Sequence, residues 1–153
     1  MATVSEIALA AIKAELDGGR LYLFAGPVPA TAEEALDMGA DHTQLVEMTE
    51  SGDGTTGLTF EAPSGSGMTK AAAETWEGLI AFDGAESGPG TLNATFYRFC
   101  SAGDNGRGAA TDPRIQGTIG GPEADMPMDS TALTDNGTNT LGASYFAVTE
   151  NAD

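Results

Sequence analysis

Basic residues are scarce in this chain of 153 residues: two lysines and four arginines stand against 23 acids, and the formal net charge is -17. A surface of that sign repels phosphate backbones and anionic headgroups, which argues against direct nucleic-acid and membrane partners. The acidity is not a tail, because residues 1–79 hold 13 acids and 3 bases and residues 80–153 hold 10 and 3. Cysteine is nearly absent as well. Cys100 alone can form neither an intrachain disulfide nor a thiolate metal cage. The single histidine, His42, leaves only one candidate base for a triad. No run of about 18 apolar residues exists to cross a membrane, and no basic segment followed by an apolar stretch opens the chain as a secretory signal would. The expectation is a protein made soluble in a cytoplasm.

What is present is glycine, 21 residues of it, with 41% hydrophobic residues. That apolar fraction supports a packed core in one domain, and the glycines mark many tight turns between short elements. Thr3 and Glu6 have capping-box spacing. Val4, Ile7, Ala8, Ala11, Ile12 and Leu16 recur at helical intervals until Asp17-Gly18-Gly19 ends the pattern, which predicts an amphipathic helix over about 4–16. Leu21-Tyr22-Leu23-Phe24, closed by Gly26-Pro27, reads as a buried strand. The spacing at Thr31-Ala32-Glu33-Glu34 predicts a second short helix to about Met38.

Further strands are expected at Thr43–Thr49, Gly57–Glu61, Trp76–Phe82, Thr91–Cys100, Arg114–Ile119, Met126–Met128 and Leu141–Thr149, with 68–74 ambiguous between a helical turn and an extended segment. The alternating run Thr91–Cys100 reads as central and covered on at least one face. About eight strands at spacings near ten residues predict a mainly β fold. The expected architecture is an antiparallel β-sandwich or jelly-roll-like domain over 19–153, with one N-terminal amphipathic α-helix over 1–18 packed on one end or projecting to a neighbour.

Chemistry is hard to find in these residues. A loop histidine such as His42 reads as a surface residue, and Cys100 at the end of an apolar strand reads as an inert thiol. Acid pairs are too numerous to point to glycoside hydrolysis, and the nucleophile-elbow, Walker, zincin and dinucleotide patterns are missing. The reading is therefore non-enzymatic, with no cofactor. Calcium is the one ion to weigh, with oxygen donors at Asp53, Asp104, Asn105, Asp112, Asp135 and Asn136, but none follows EF-hand order and turns demand the same residues. Asn93-Ala94-Thr95 and Asn136-Gly137-Thr138 match the glycosylation acceptor pattern and are read as chance.

Taken together, Leu16-Asp17-Gly18-Gly19-Arg20-Leu21-Tyr22-Leu23-Phe24-Ala25-Gly26 with Pro29-Ala30, Ser87-Gly88 before Phe96-Tyr97-Arg98-Phe99, and Gln116-Gly117-Thr118-Ile119-Gly120 before Ala124-Asp125-Met126 resemble a family of small tailed-bacteriophage virion proteins. The resemblance runs over nearly the whole chain on short, glycine-driven motifs. The chain departs from the family in its longer loop at Ser101–Asp112 and its heavier acidity. The resemblance implies a structural component of the head decoration, neck or collar, or minor tail, made in a host cytoplasm and carried in the virion. Its partners would be other phage structural proteins and further copies of itself in a homo-oligomer. The helix face around Ile7, Ile12 and Leu16, and the cations Arg98, Arg107 and Arg114, are the candidate contacts, each having core or solvated-charge roles as the plain alternative. The competing function is a lectin-like carbohydrate-binding module, with or without calcium, using loop Asp and Asn residues and an aromatic such as Trp76 or Tyr97. Both aromatics lie in apolar runs, which favours burial.

Overall fold

The structure, a computed structural model, describes residues 4–65 and 67–149. It is mainly β and sandwich-like, with one α-helix, α1 (Val4–Leu16), at the N-terminal end. The strands are β1 (Arg20–Ala25), β2 (Thr43–Glu50), β3 (Gly67–Thr69), β4 (Trp76–Gly84), β5 (Gly90–Asn93), β6 (Phe96–Cys100), β7 (Arg114–Gly120), β8 (Met126–Pro127), β9 (Ala132–Asp135), β10 (Thr140–Ala143) and β11 (Ala147–Thr149). Seven of them form one sheet in the order β10-β4-β2-β1-β6-β7-β8, and β11-β3 and β5-β9 form two-stranded ribbons. Every pairing is antiparallel except the short β7–β8 contact, which is parallel.

Register divides the residues of the central strands between two faces, because successive side chains point to opposite sides. Leu21 pairs with Met48 and Phe99, and Leu23 with Val46 and Tyr97, so these six share the inner face. Leu16, Leu58, Phe60, Met68, Trp76, Leu133 and Phe146 close over it to form the main core. Phe60, Trp76, Phe99 and Phe146 form a ring cluster with neighbouring centroids 4.9–6.0 Å apart, a spacing at which each pair adds about 0.5–1.5 kcal/mol beyond its area burial. Gly117 has a steric reason to be glycine: a Cβ there would lie 2.5 Å from the Tyr97 ring.

The outer face carries Tyr22 opposite Glu47 and Arg98, Arg98 opposite Gln116, and Cys100 opposite Arg20 and Arg114. Tyr22, Phe24, Leu36, Phe96 and Cys100 make a second, smaller core there. The cover on this side is loop rather than sheet, from residues 26–42 and 101–113. β6 is consequently buried at all five positions, a central strand covered on both faces.

Several local expectations change. The helix buries Leu9 and Leu16 and half-buries Ile12, while Ile7, Ala8 and Ala11 point outward, so its inward stripe runs along 9, 12 and 16 rather than through Ile7. Thr3, the proposed cap, lies outside the described residues. Glu6 accepts a hydrogen bond from Gly65 N at 2.9 Å, and Asp17 Oδ1 accepts one from Phe60 N at 3.0 Å. The second helix is absent: 31–38 is a turn. Its Thr31 N does donate to Glu34 Oε1, as a capping box requires. Leu36 N, however, donates to Arg107 O at 2.7 Å, and Ala32 O accepts from Arg114, so partners outside the segment take the groups a helix would use.

The run Thr91–Cys100 is two strands in different sheets. Thr95, which donates its Oγ1 to Gly26 O at 2.6 Å, sits at the break. Leu141–Thr149 divides likewise into β10 and β11. The segment 57–61 makes bridges at Leu58 and Phe60 instead of a continuous strand. β9 had no sequence signal beyond Leu133.

Candidate functional site

Four arginines and the acids that answer them gather on the outer face. Arg98 is fully buried. It donates Nε to Gln116 Oε1 at 2.9 Å, NH1 to Gly106 O at 2.7 Å and NH2 to Thr31 O at 3.3 Å. Burial, and then the charge of nearby Arg114, pulls its pKa below the ordinary guanidinium value. Arg114 forks onto Asp104, Nε to Oδ2 at 2.6 Å and NH2 to Oδ1 at 2.8 Å, and gives NH1 to Ala32 O at 3.1 Å. Arg107 joins Gln44 Oε1 at 3.1 Å and Asp83 Oδ2 at 2.6 Å, and Arg20 pairs with Glu47. Gln116 Nε2 donates to Pro29 O at 2.9 Å. Apart from the Arg20–Glu47 pair, which joins β1 to β2, these bonds stitch the two covering loops to the sheet with planar groups suited to several acceptors at once.

Arg98 and Leu16, both fully buried, and Arg114, whose side chain is 2% exposed, are therefore structural inside the folded chain and do not present themselves to a partner. Of the sequence candidates only Ile7, 61% exposed, offers a large apolar surface; Ile12 is half-buried and Arg107 is occupied by Asp83. His42 is buried rather than on the surface. Its Nε2 lies 2.8 Å from Pro27 O, and its Nδ1 accepts from Asp37 N at 3.1 Å, so the ring holds the first covering loop closed. Trp76 and Tyr97 are buried, as their apolar runs indicate. Cys100 is buried too, and desolvation, reinforced by Asp104, pushes its thiol up to about 12, which keeps it neutral and unreactive at ordinary pH.

Of the oxygen donors considered for calcium, Asp53, Asp104, Asn105, Asp135 and Asn136 accept from backbone N–H groups of their own turns. Asp53 accepts from Thr55 N and Thr56 N at 2.8 Å each, and these bonds with the Thr56 hydroxyl hold its pKa well below the carboxylate range. Asn136 Oδ1 accepts from Thr138 N and Asn139 N, Asp135 accepts from Phe82 N and Gly137 N, and Asn105 Oδ1 accepts from Arg107 N. Among the described residues no group of three His, Cys, Asp or Glu side chains is placed to hold a metal ion.

Between Arg20 and Arg107 the outer face opens into a groove of about 560 Å³, with Tyr22, Glu47 and Asp83 in its walls and 101–105 along one side. Among the described residues, the buried side-chain polar atoms without a hydrogen-bond partner are Ser101 Oγ and Arg107 Nε. Both residues line this groove. Each such atom costs a fold about 1–3 kcal/mol, and native structures keep few of them. No sequence pattern announces the groove, because its walls come from β1, β2, β4 and two distant loops.

In comparisons with known proteins, no family model, no curated protein and no solved structure matches the chain. Among the described residues no helix is long and apolar enough to cross a membrane.

Asp104 and Glu74 make stability depend on pH. For Asp104, burial pushes the pKa up, but hydrogen bonds from Arg114 and Gly106 N outweigh it and leave the group below its usual 3.8. Glu74 is likewise held below 4.5: desolvation is overcome by Thr59 and by Trp76 Nε1. A carboxylate whose pKa is depressed on folding adds stability above its unfolded value and loses it as pH falls through the folded one. The net charge acts oppositely, since its self-repulsion eases as acids are protonated. At low salt the melting temperature is expected to rise from pH 7 to about 5 and to fall below about 4.5. Circular-dichroism melts across that range check it, and an acid limb unaltered in Asp104→Asn would contradict the assignment.

Proposed function

We propose that the chain is a non-enzymatic structural subunit of a tailed-phage particle, assembling in repeated copies on the head, the neck or collar, or the tail. The observation that carries this reading is the outward side of α1. Ile7 is 61% exposed, and Ala8, Ala10, Ala11 and Ala14 are exposed around it. On a chain so rich in acids, that side of the helix holds a branched apolar residue and four alanines, with Glu15 the one exposed acid among its described side chains. Such a surface suits close packing against another subunit of the particle, whereas charged side chains would suit solvent.

The body beneath supports the same use. α1 is tied to it through Leu16 in the main core and through Gly18 N, which donates to Leu58 O at 2.8 Å, so a contact made on the helix is transmitted to the sheet. Arg98, Arg107 and Arg114 are spent on fastening loops, which makes the outer face a fixed shape.

Ile7→Asp should leave the melting temperature within a few degrees, because the side chain is exposed, and should abolish self-association measured by light scattering at high concentration. A wild-type chain that stays monomeric, or a variant that associates equally well, counts against the helix as the contact. Antibody labelling of intact particles, followed by electron microscopy, tests the particle reading directly: label on head, junction or tail supports it, and particles that carry the gene but not the protein refute it.

A further inference from the structure

We propose that the groove between Arg20 and Arg107 is a binding site for a neutral saccharide of one to three sugar units. Size is the first argument. About 560 Å³ lies within the roughly 300–1,000 Å³ of small-molecule sites.

Charge selects the class. Glu47 and Asp83 each hold a guanidinium, from Arg20 and Arg107 respectively, so the walls present ion pairs rather than a field of one sign. Asp104, on the same wall, is held by Arg114. An anion entering here meets three carboxylates on a chain of net charge -17, and a cation meets two guanidinium groups. A polyhydroxyl ligand meets neither penalty. Each of its hydroxyls both donates and accepts, and the walls offer carboxylate acceptors beside guanidinium donors.

Shape agrees with chemistry. Gly18, Ala102 and Gly103 leave low, small-residue stretches of wall against which the C–H face of a sugar ring can lie. Arg20, Glu47 and Arg107 are each about one-third exposed or less, so their side chains are already restrained before a ligand arrives, which lowers the ordering cost of binding.

Two residues of these walls also carry buried polar atoms without a hydrogen-bond partner, Ser101 Oγ and Arg107 Nε. Ser101 is 8% exposed. Unsatisfied buried polar groups are few in native folds, and functional sites are one of the places that keep them.

The test is amide chemical-shift mapping of the full chain by NMR. It is titrated in turn with glucose, galactose, mannose, N-acetylglucosamine, maltose and lactose, and then with inorganic phosphate. At least one sugar should shift the amides of 101–105 saturably. Glu47→Gln and Asp83→Asn should each weaken that sugar about tenfold or more, the loss expected for one charge-assisted hydrogen bond. Asp83 is 67% exposed, so the effect of its variant on the fold is expected to be confined to the bond with Arg107. The proposal is overturned if no sugar of the set shifts those amides, if phosphate shifts them more strongly than every sugar, or if both variants bind as the parent does. None of these results bears on self-association through α1.

Discussion

Replacing Arg98 with methionine should destabilise the protein by about 3–5 kcal/mol, a large share of the roughly 5–15 kcal/mol that holds a domain folded. Methionine follows the arginine stem only as far as Nε but avoids the cost of a buried charge, which by itself would favour the variant. The decisive loss is on the other side. Gly106 O and Thr31 O are backbone carbonyls that stay where they are, and Gln116 Oε1 stays with them, so three acceptors lose their donor at once. Both covering loops depend on those bonds. Arg98→Lys keeps the charge but loses the planar fork, and its cost should fall between the parent and the methionine variant. Urea unfolding followed by Trp76 fluorescence measures both. A methionine variant within about 1 kcal/mol of the parent would mean that the loops close without Arg98.

A comparably large effect is expected at Gly19, and its neighbour supplies the control. An alanine Cβ at Gly19 would lie 1.9 Å from Cys100 O and 2.8 Å from Leu16 O. Both are backbone atoms, one in β6 and one at the end of α1, so neither can swing away as a flexible side chain could. Gly19→Ala should force the start of β1 off β6 and cost about 3 kcal/mol or more. Gly18 differs in kind: its φ is +88°, but a Cβ there meets nothing within 4 Å. Gly18→Ala should therefore cost only about 1 kcal/mol, the penalty of a left-handed backbone. Paired thermal melts would separate the two causes, and equal losses would show that close approach is not what requires Gly19.

These two sites mark how much was legible in advance. Asp17-Gly18-Gly19 plainly ends a helix, and Leu21 to Phe24 plainly belongs to a core, because termination and burial are local matters of composition. That Gly19 touches Cys100 is a fact of register across 81 positions of sequence, and nothing at either residue announces it. The three arginines were visible as rare cations. Their isolation on an acidic chain invites the thought of a partner, yet the fold turns Arg98 and Arg114 inward onto its own carbonyls and Asp104.

The helix illustrates the same division. Its length and stop signal follow from the apolar period and the two glycines. Which side faces inward could not follow, since Ile7, Leu9, Ile12 and Leu16 are all apolar and the stripe is too broad to choose. Docking of Leu9 and Leu16 chose, and left Ile7 outside. At 31–38 the local preference for a helix was real enough to form one capping contact, and tertiary partners for Ala32 O and Leu36 N then overrode it.

By itself the sequence determined that this chain is mainly β with one N-terminal helix, that its surface is acidic throughout, and that Cys100, Trp76 and Tyr97 are buried. These follow from composition and short-range pattern, which act within a few residues. Tertiary structure alone decided that 91–100 divides between two sheets, that loops rather than a second sheet cover the outer face, and that Arg20, Glu47, Asp83 and Arg107 meet around one groove. Those outcomes depend on strand order and register, and such pairings are set by the packing of the whole chain.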